Sequence, residues 1–263
     1  MTADFKDTGS MVLLLGLFLG SAGTCHAVLP YLPERHRSRD TLDMVRLVSS
    51  LLVTFASLVL GLLTSTVNTA FVTIGNDVNE LAGHIQQTDT CLRAYGSEAD
   101  PIRAQLRDYV RAAVASTWPS DAEPGARSAV PPAAESQLLD TALQHVRLGL
   151  IRLDPPDAMR AKIVTLCLAD FAKLYDLRWR VVAESHGSIS VPFYRVLVVM
   201  LVAVFASFGL SSPRNFVAWL AVGLAAMTMA AALFVVLELD DPIDGLIRIS
   251  SESMRTALAE LDR

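Results

Sequence analysis

The chain has 263 residues, of which 52% are apolar and 19% charged, with a mean hydropathy of +0.41; soluble domains carry about 25% charged residues. That balance argues against a purely aqueous protein, and a net charge of −5 with a pI near 5.5 lacks the basic face expected of a nucleic-acid binder. Three cysteines, Cys25, Cys91 and Cys167, are too few and too scattered for a disulfide scaffold or a zinc knuckle.

The apolar residues come in four charge-free blocks, residues 8–33, 47–76, 196–213 and 215–237. About 20 apolar residues in a helix cross a hydrocarbon core of about 30 Å, and backbone amides in lipid must be bonded within their own segment. The blocks therefore predict four spanning helices, at 11–29, 46–72, 195–212 and 215–237. The first is a retained helix rather than a cleaved signal: its flank holds Lys6 but also Asp4 and Asp7, and its apolar run continues to Leu29, longer than a usual signal core. Ser211, Ser212, Pro213 and Asn215 between the third and fourth blocks predict a tight helical hairpin, with proline ending one helix and serine or asparagine capping the next.

Between the second and third blocks lies a polar insert, 77–195, long enough for a domain of its own. Residues 77–95 continue the second membrane helix. Asp100-Pro101 reads as an N-cap followed by proline and opens a helix through Thr117; Asp154-Pro155-Pro156 opens another through Glu184. Residues 118–134, rich in proline, alanine, serine and glycine, read as a loop, and 135–153 as a further helix. Met159, Ile163, Leu166, Cys167, Leu174, Leu177 and Val181 form an apolar stripe that needs a packing partner. Asp170, within it, is expected to pair with Lys173. The predicted fold class is all-α: four transmembrane helices in a 2+2 arrangement, with a helical extramembrane insert between the second and third. The divisions are 1–76, 77–195, 196–237 and an acidic tail, 238–263. No strand pattern and no internal repeat is evident.

The second block carries a polar seam: Ser50, Thr54, Ser57, Gly61, Thr64 and Asn68 follow one another at spacings of four and three, which places them on one helical face. Leu51, Leu52, Leu58, Val59, Leu62 and Leu63 read as the opposite face. A face of small and hydroxylated residues either admits a second helix at close range, the commoner use, or lines a water-filled path.

The catalytic search is negative. The histidines stand singly, and no phosphate-binding glycine loop, nucleophile elbow or Cys-x-x-Cys pair occurs. No catalytic residue, metal site or cofactor is predicted, and an enzyme is the least favoured class. Cys91 and Cys167 pair if the insert faces an oxidising compartment; two separate buried thiols are the more ordinary reading. Glu238, Asp240, Asp241 and Asp244 cluster after the last helix. Their spacing does not match an EF-hand, so a solvated turn with Arg248 as partner is expected.

Residues 237–250, with Glu238, Asp240, Pro242, Gly245 and Arg248, directly follow a membrane helix. This resembles the closing motif of the bestrophin-like family of bacterial membrane proteins, and the order of two helices, insert, two helices and tail resembles that family over nearly the whole chain. True bestrophins are pentameric ion channels whose second helix lines the pore. The resemblance therefore implies a homo-oligomer in a lipid bilayer, with Ser50, Thr54, Ser57, Gly61, Thr64 and Asn68 along an ion path. The alternative is a membrane-anchored scaffold or sensor whose insert binds a soluble partner. The resemblance implies a cytoplasmic insert. Arg35, Arg37, Arg39 and Arg46, dense in and beside the short first loop, instead put that loop in the cytoplasm and the insert on the periplasmic side of an inner membrane.

Overall fold

A computed structural model describes residues 2–31, 33, 39–118, 132–184, 191–213, 215–243 and 247–263, and every regular element among them is helical. In chain order they are α1 (Thr2–Val28), α2 (Arg39–Tyr95), α3 (Asp100–Thr117), α4 (Pro132–Ile151), α5 (Ala158–Glu184), α6 (Val191–Ser211), α7 (Phe216–Asp240) and α8 (Glu252–Leu261), with short 3-10 turns at Leu29–Tyr31 and Ser97–Ala99. Four segments, Gly9–Tyr31, Asp43–Tyr95, Pro192–Ser211 and Phe216–Asp240, are long and apolar enough to cross a membrane. Each overlaps one of the four charge-free blocks, and the second continues well past its block to Tyr95.

The helix ends follow from local chemistry. α7 opens at Asn215, whose side-chain oxygen accepts from the Ala218 amide at 2.8 Å, as its sequence predicts. Two caps differ from expectation. α3 begins at Asp100 with Ala99 at the cap position and no side-chain cap, because the 3-10 turn Ser97–Ala99 leads straight into it. Asp100 instead sits in the first turn, 3.6 Å from Arg103. α5 begins after both prolines: a residue preceding proline is pushed away from helical torsions, so Asp157 rather than Asp154 accepts from the Arg160 amide, at 2.7 Å. α2 ends at Tyr95 and is followed by Gly96, whose φ of 115° is open to glycine and costly for other residues.

The chain forms two compact units. The first comprises residues 1–71 and 187–247. Its core joins Leu14, Phe18 and Ala22 of α1 and Ala56, Leu63 and Val67 of α2 to Leu197, Leu201 and Phe205 of α6 and Ala226, Ala230 and Leu233 of α7. Phe18 and Phe205 stack at 4.9 Å between ring centroids. Where α1 crosses α6, Gly209 lies so close to Ala22 that a β-carbon there would strike the Ala22 carbonyl. His26 shares a hydrogen bond with the Gly209 carbonyl at 3.2 Å and meets the Trp219 ring edge-on.

The second unit comprises 72–186 and 248–263. Ile85, Leu92, Tyr95, Leu106, Tyr109, Leu143, Leu150, Leu174 and Leu177 are almost fully buried in it, and α3 packs on α4 and α8 while α4 packs on α5. The buried face of α5 is centred on Val164, Cys167, Phe171, Leu174 and Leu177, so Met159 and Leu166 of the predicted stripe point outward. Asp170 and Lys173 form no ion pair among the described residues. Asp89, 4% exposed, accepts instead from Arg93 at 2.6 Å and Arg103 at 2.7 Å. That hydrogen bond to Asp89 is the main reason the Arg103 guanidinium holds its proton more tightly than usual. Trp118, read as the start of a loop, is buried and donates its indole N–H to the Ile249 carbonyl at 2.9 Å; of the rest of that predicted loop, 119–131 lie outside the described residues and 132–134 already belong to α4. Cys91 and Cys167 are joined by a disulfide, which corrects the expectation of separate thiols.

Candidate functional site

α2 holds 57 residues, against the about 20 that cross a bilayer, and among them is the polar seam. Ser50, Thr54, Ser57, Gly61, Thr64 and Asn68 are all exposed on the surface of this chain. The hydroxyls do not point away from the helix unsatisfied. Ser50 donates to the Leu47 carbonyl, Thr54 to Ser50, Ser57 to Val53 and Thr64 to Leu60, at 2.7 to 2.9 Å. Such back-bonding satisfies hydroxyls in a helix without a partner segment. With its proton engaged, each hydroxyl turns oxygen lone pairs outward. The Asn68 side chain makes no hydrogen bond among the described residues, and it adds an amide to the same face.

The remainder of the helix in the first unit divides into two faces, where the sequence suggested one. Ala56, Leu63 and Val67 are buried in the core, with Val59 and Leu60 packed beside them. Leu51, Phe55, Leu58 and Leu62 are exposed. α2 thus presents one stripe to its own chain, one exposed apolar stripe and one exposed polar stripe. The polar stripe adds hydroxyl oxygens and the Asn68 amide to an otherwise largely apolar exposed surface.

The closing motif straddles the end of α7. Glu238 is buried near the end of α7, Asp240 is half-buried in its last turn and Pro242 is buried after it. Arg248 is exposed in the second unit, and Gly245 lies outside the described residues. The solvated turn expected of the acidic cluster describes Asp241, which is exposed, but not Glu238. Among the described residues no group of three or more histidine, cysteine, aspartate or glutamate side chains is placed to hold a metal ion.

A family model, the bestrophin-like domain, matches residues 16–254. The chain belongs to the bestrophin-like family. Among solved structures, this bestrophin-like chain is similar to the crystal structure of a bacterial bestrophin homologue from Klebsiella pneumoniae carrying a tyrosine-to-alanine mutation. The TM-score is 0.63 at 14% sequence identity, over 95% of this chain and 97% of that one. At that identity the likeness shows the fold. No curated protein matches the sequence.

The features that sequence reading missed are the stripe of Ala56, Leu63 and Val67, the Asp89 clamp and α8. Asp89 had a usable signal, an aspartate four residues before Arg93 on a helix, but its second partner Arg103 stands on another helix.

Proposed function

We propose that this bestrophin-like protein is a non-enzymatic, multi-pass inner-membrane protein that associates with copies of itself and conducts ions along the α2 seam. α1 and α2 form one pair of spanning helices, α6 and α7 the other, and the helical insert between them stands outside the bilayer. The observation that carries the reading is the exposed row Ser50, Thr54, Ser57, Gly61, Thr64 and Asn68 on a helix long enough to span. Lipid does not solvate such a row, whereas water between neighbouring copies does. Liposomes holding the protein then pass ions, and Thr54→Leu or Asn68→Leu lowers that flux several-fold; silence across varied ions and voltages refutes conduction.

The insert is placed on the outer side. The arginines of the first loop favour this orientation, and so does the Cys91–Cys167 disulfide, since such bonds persist in oxidising compartments. A second reading has one observation in its favour: residues 72–186 and 248–263 form a compact unit with its own core, as a membrane-anchored module that binds a soluble partner does. Size in mild detergent separates the two, because a monomer has no central path and a closed ring supplies one.

A further inference from the structure

Cys91 lies near the end of α2 and Cys167 midway along α5; their α-carbons are 5.6 Å apart and 76 residues separate them in sequence. Their surroundings differ. Cys167 is 0% exposed, among buried Val164, Phe171 and Leu174, while Cys91 is part-exposed. The polar ties between α2 and α5 are long or open to water: Arg180 reaches Asp77 only at 3.8 Å with its side chain more than half exposed, and the Arg160 guanidinium lies 5.5 Å from the centroid of the Tyr95 ring. Exposed ion pairs of this kind contribute little. The disulfide is therefore the covalent tie between α2 and α5, and of its two cysteines Cys91 is the part-exposed one.

We propose that Cys91–Cys167 is a redox-operated clasp, opened by a dithiol reductant that enters at Cys91. The reductant is a small dithiol or a thiol–disulfide oxidoreductase. One of its thiolates attacks the Cys91 sulfur, and Cys167 leaves as a thiolate and takes up a proton. The second thiol of the reductant then displaces Cys91 as a thiol and closes the reductant's own disulfide, so two electrons and two protons pass from reductant to protein. A disulfide donor reverses the sequence. The closed state fixes α5 against α2, and the open state leaves α5 held by packing and weak ion pairs. The clasp rests on the orientation proposed above for its closed state in the cell, and it adds regulation to the same helix that carries the seam.

The test uses the full chain. Cells are acid-quenched and free thiols blocked with N-ethylmaleimide; the protein is then reduced and treated with a polyethylene-glycol maleimide. Tags at Cys91 and Cys167 show the clasp closed in the cell, and absence of tags there overturns that closed state in the cell. Purified protein in mild detergent, treated with glutathione and trapped in acid, carries the mixed disulfide at Cys91; finding it at Cys167 overturns the route of entry. Reduction speeds trypsin cleavage at Arg152 and Arg160 by about thirtyfold, the equivalent of a disulfide at the low end of the usual range, and Cys91→Ser does the same without reductant. An unchanged rate in reduced wild-type protein overturns the clasp even where the variant fails to fold. Orientation is read separately, by labelling Lys173→Cys in a Cys25→Ala, Cys91→Ser, Cys167→Ser background on spheroplasts with a membrane-impermeant maleimide. Failure there rejects the orientation and leaves the results on purified protein standing.

Discussion

Gly209 has no side chain because the α1 backbone occupies the space one would fill: an added β-carbon meets the carbonyl of Ala22, and a carbonyl held in a helix has nowhere to move. Overpacking of this kind costs about 1–3 kcal/mol, so Gly209→Ala lowers the melting temperature in detergent. Gly16→Ala and Gly223→Ala, where nothing lies within 4 Å, leave it unchanged or raise it slightly through helix propensity. Asp89 is the polar counterpart. Asp89→Ala strips two arginines of a common buried acceptor, a loss of about 2–3 kcal/mol once the exposure of Arg93, 40% at its side chain, is allowed for. Chemical denaturation that follows the second unit reads this loss, and Lys173→Ala, which breaks no ion pair, serves as the control. At this scale the caps show how far sequence carries. Asn215 was legible because capping is local, whereas Trp118 was not, because the carbonyl it needs belongs to Ile249, 131 positions away.

At the scale of the element, α2 decides the functional argument. Its seam was legible because small hydroxylated residues recur at alternating spacings of four and three in an otherwise leucine- and valine-rich block. The division of the remaining surface was not legible. A soluble helix marks its buried side by contrast with a polar exterior, but in hydrocarbon both sides are greasy, so Leu63 in the core and Leu62 outside it look alike in sequence. α5 erred for the related reason that Met159 and Leu166 are apolar yet exposed. The seam makes an ion-specific prediction under the channel reading. Because Ser50, Thr54, Ser57 and Thr64 donate their protons to their own helix, the oxygens they offer a passing ion suit a cation. Replacing potassium by a large organic cation shifts the reversal potential of the reconstituted protein, and replacing chloride by a large organic anion leaves it nearly unchanged. The opposite result rejects the hydroxyl row as the selective element. Thr64→Val, which keeps shape and removes the hydroxyl, reduces current more than Leu58→Val on the exposed apolar stripe.

At the scale of the whole molecule, neither unit is a continuous stretch of chain: each is assembled from an early segment and a late one. Residues after 238 look in sequence like a charged tail, since Ser251 at the start of α8 makes no side-chain cap and the helix has only 10 residues, too short to be stable alone. Its stability is tertiary. Met254, Ala257 and Leu261 are buried. Arg93 donates to the Glu260 carbonyl at 2.7 Å, Arg111 and Arg107 approach Asp262 at 3.4 and 3.7 Å, and Ser253 donates to Asn79 at 2.6 Å. The second unit is therefore complete only when the last residues return to it, and one apolar contact tests that dependence. Met254→Asp places a carboxylate where a methionine is 2% exposed, and an unpaired buried charge costs several kcal/mol, more than α8's few surface bonds offset. Trypsin then cuts rapidly at Arg255 within α8 and, with α3 uncovered, at Arg107 and Arg111, while α6 and α7 in the first unit stay protected. Ser253→Ala, which removes one hydrogen bond of about 1 kcal/mol, leaves the cleavage pattern close to that of the unaltered chain. If Met254→Asp is cut no faster than Ser253→Ala, α8 is not the element that closes the second unit.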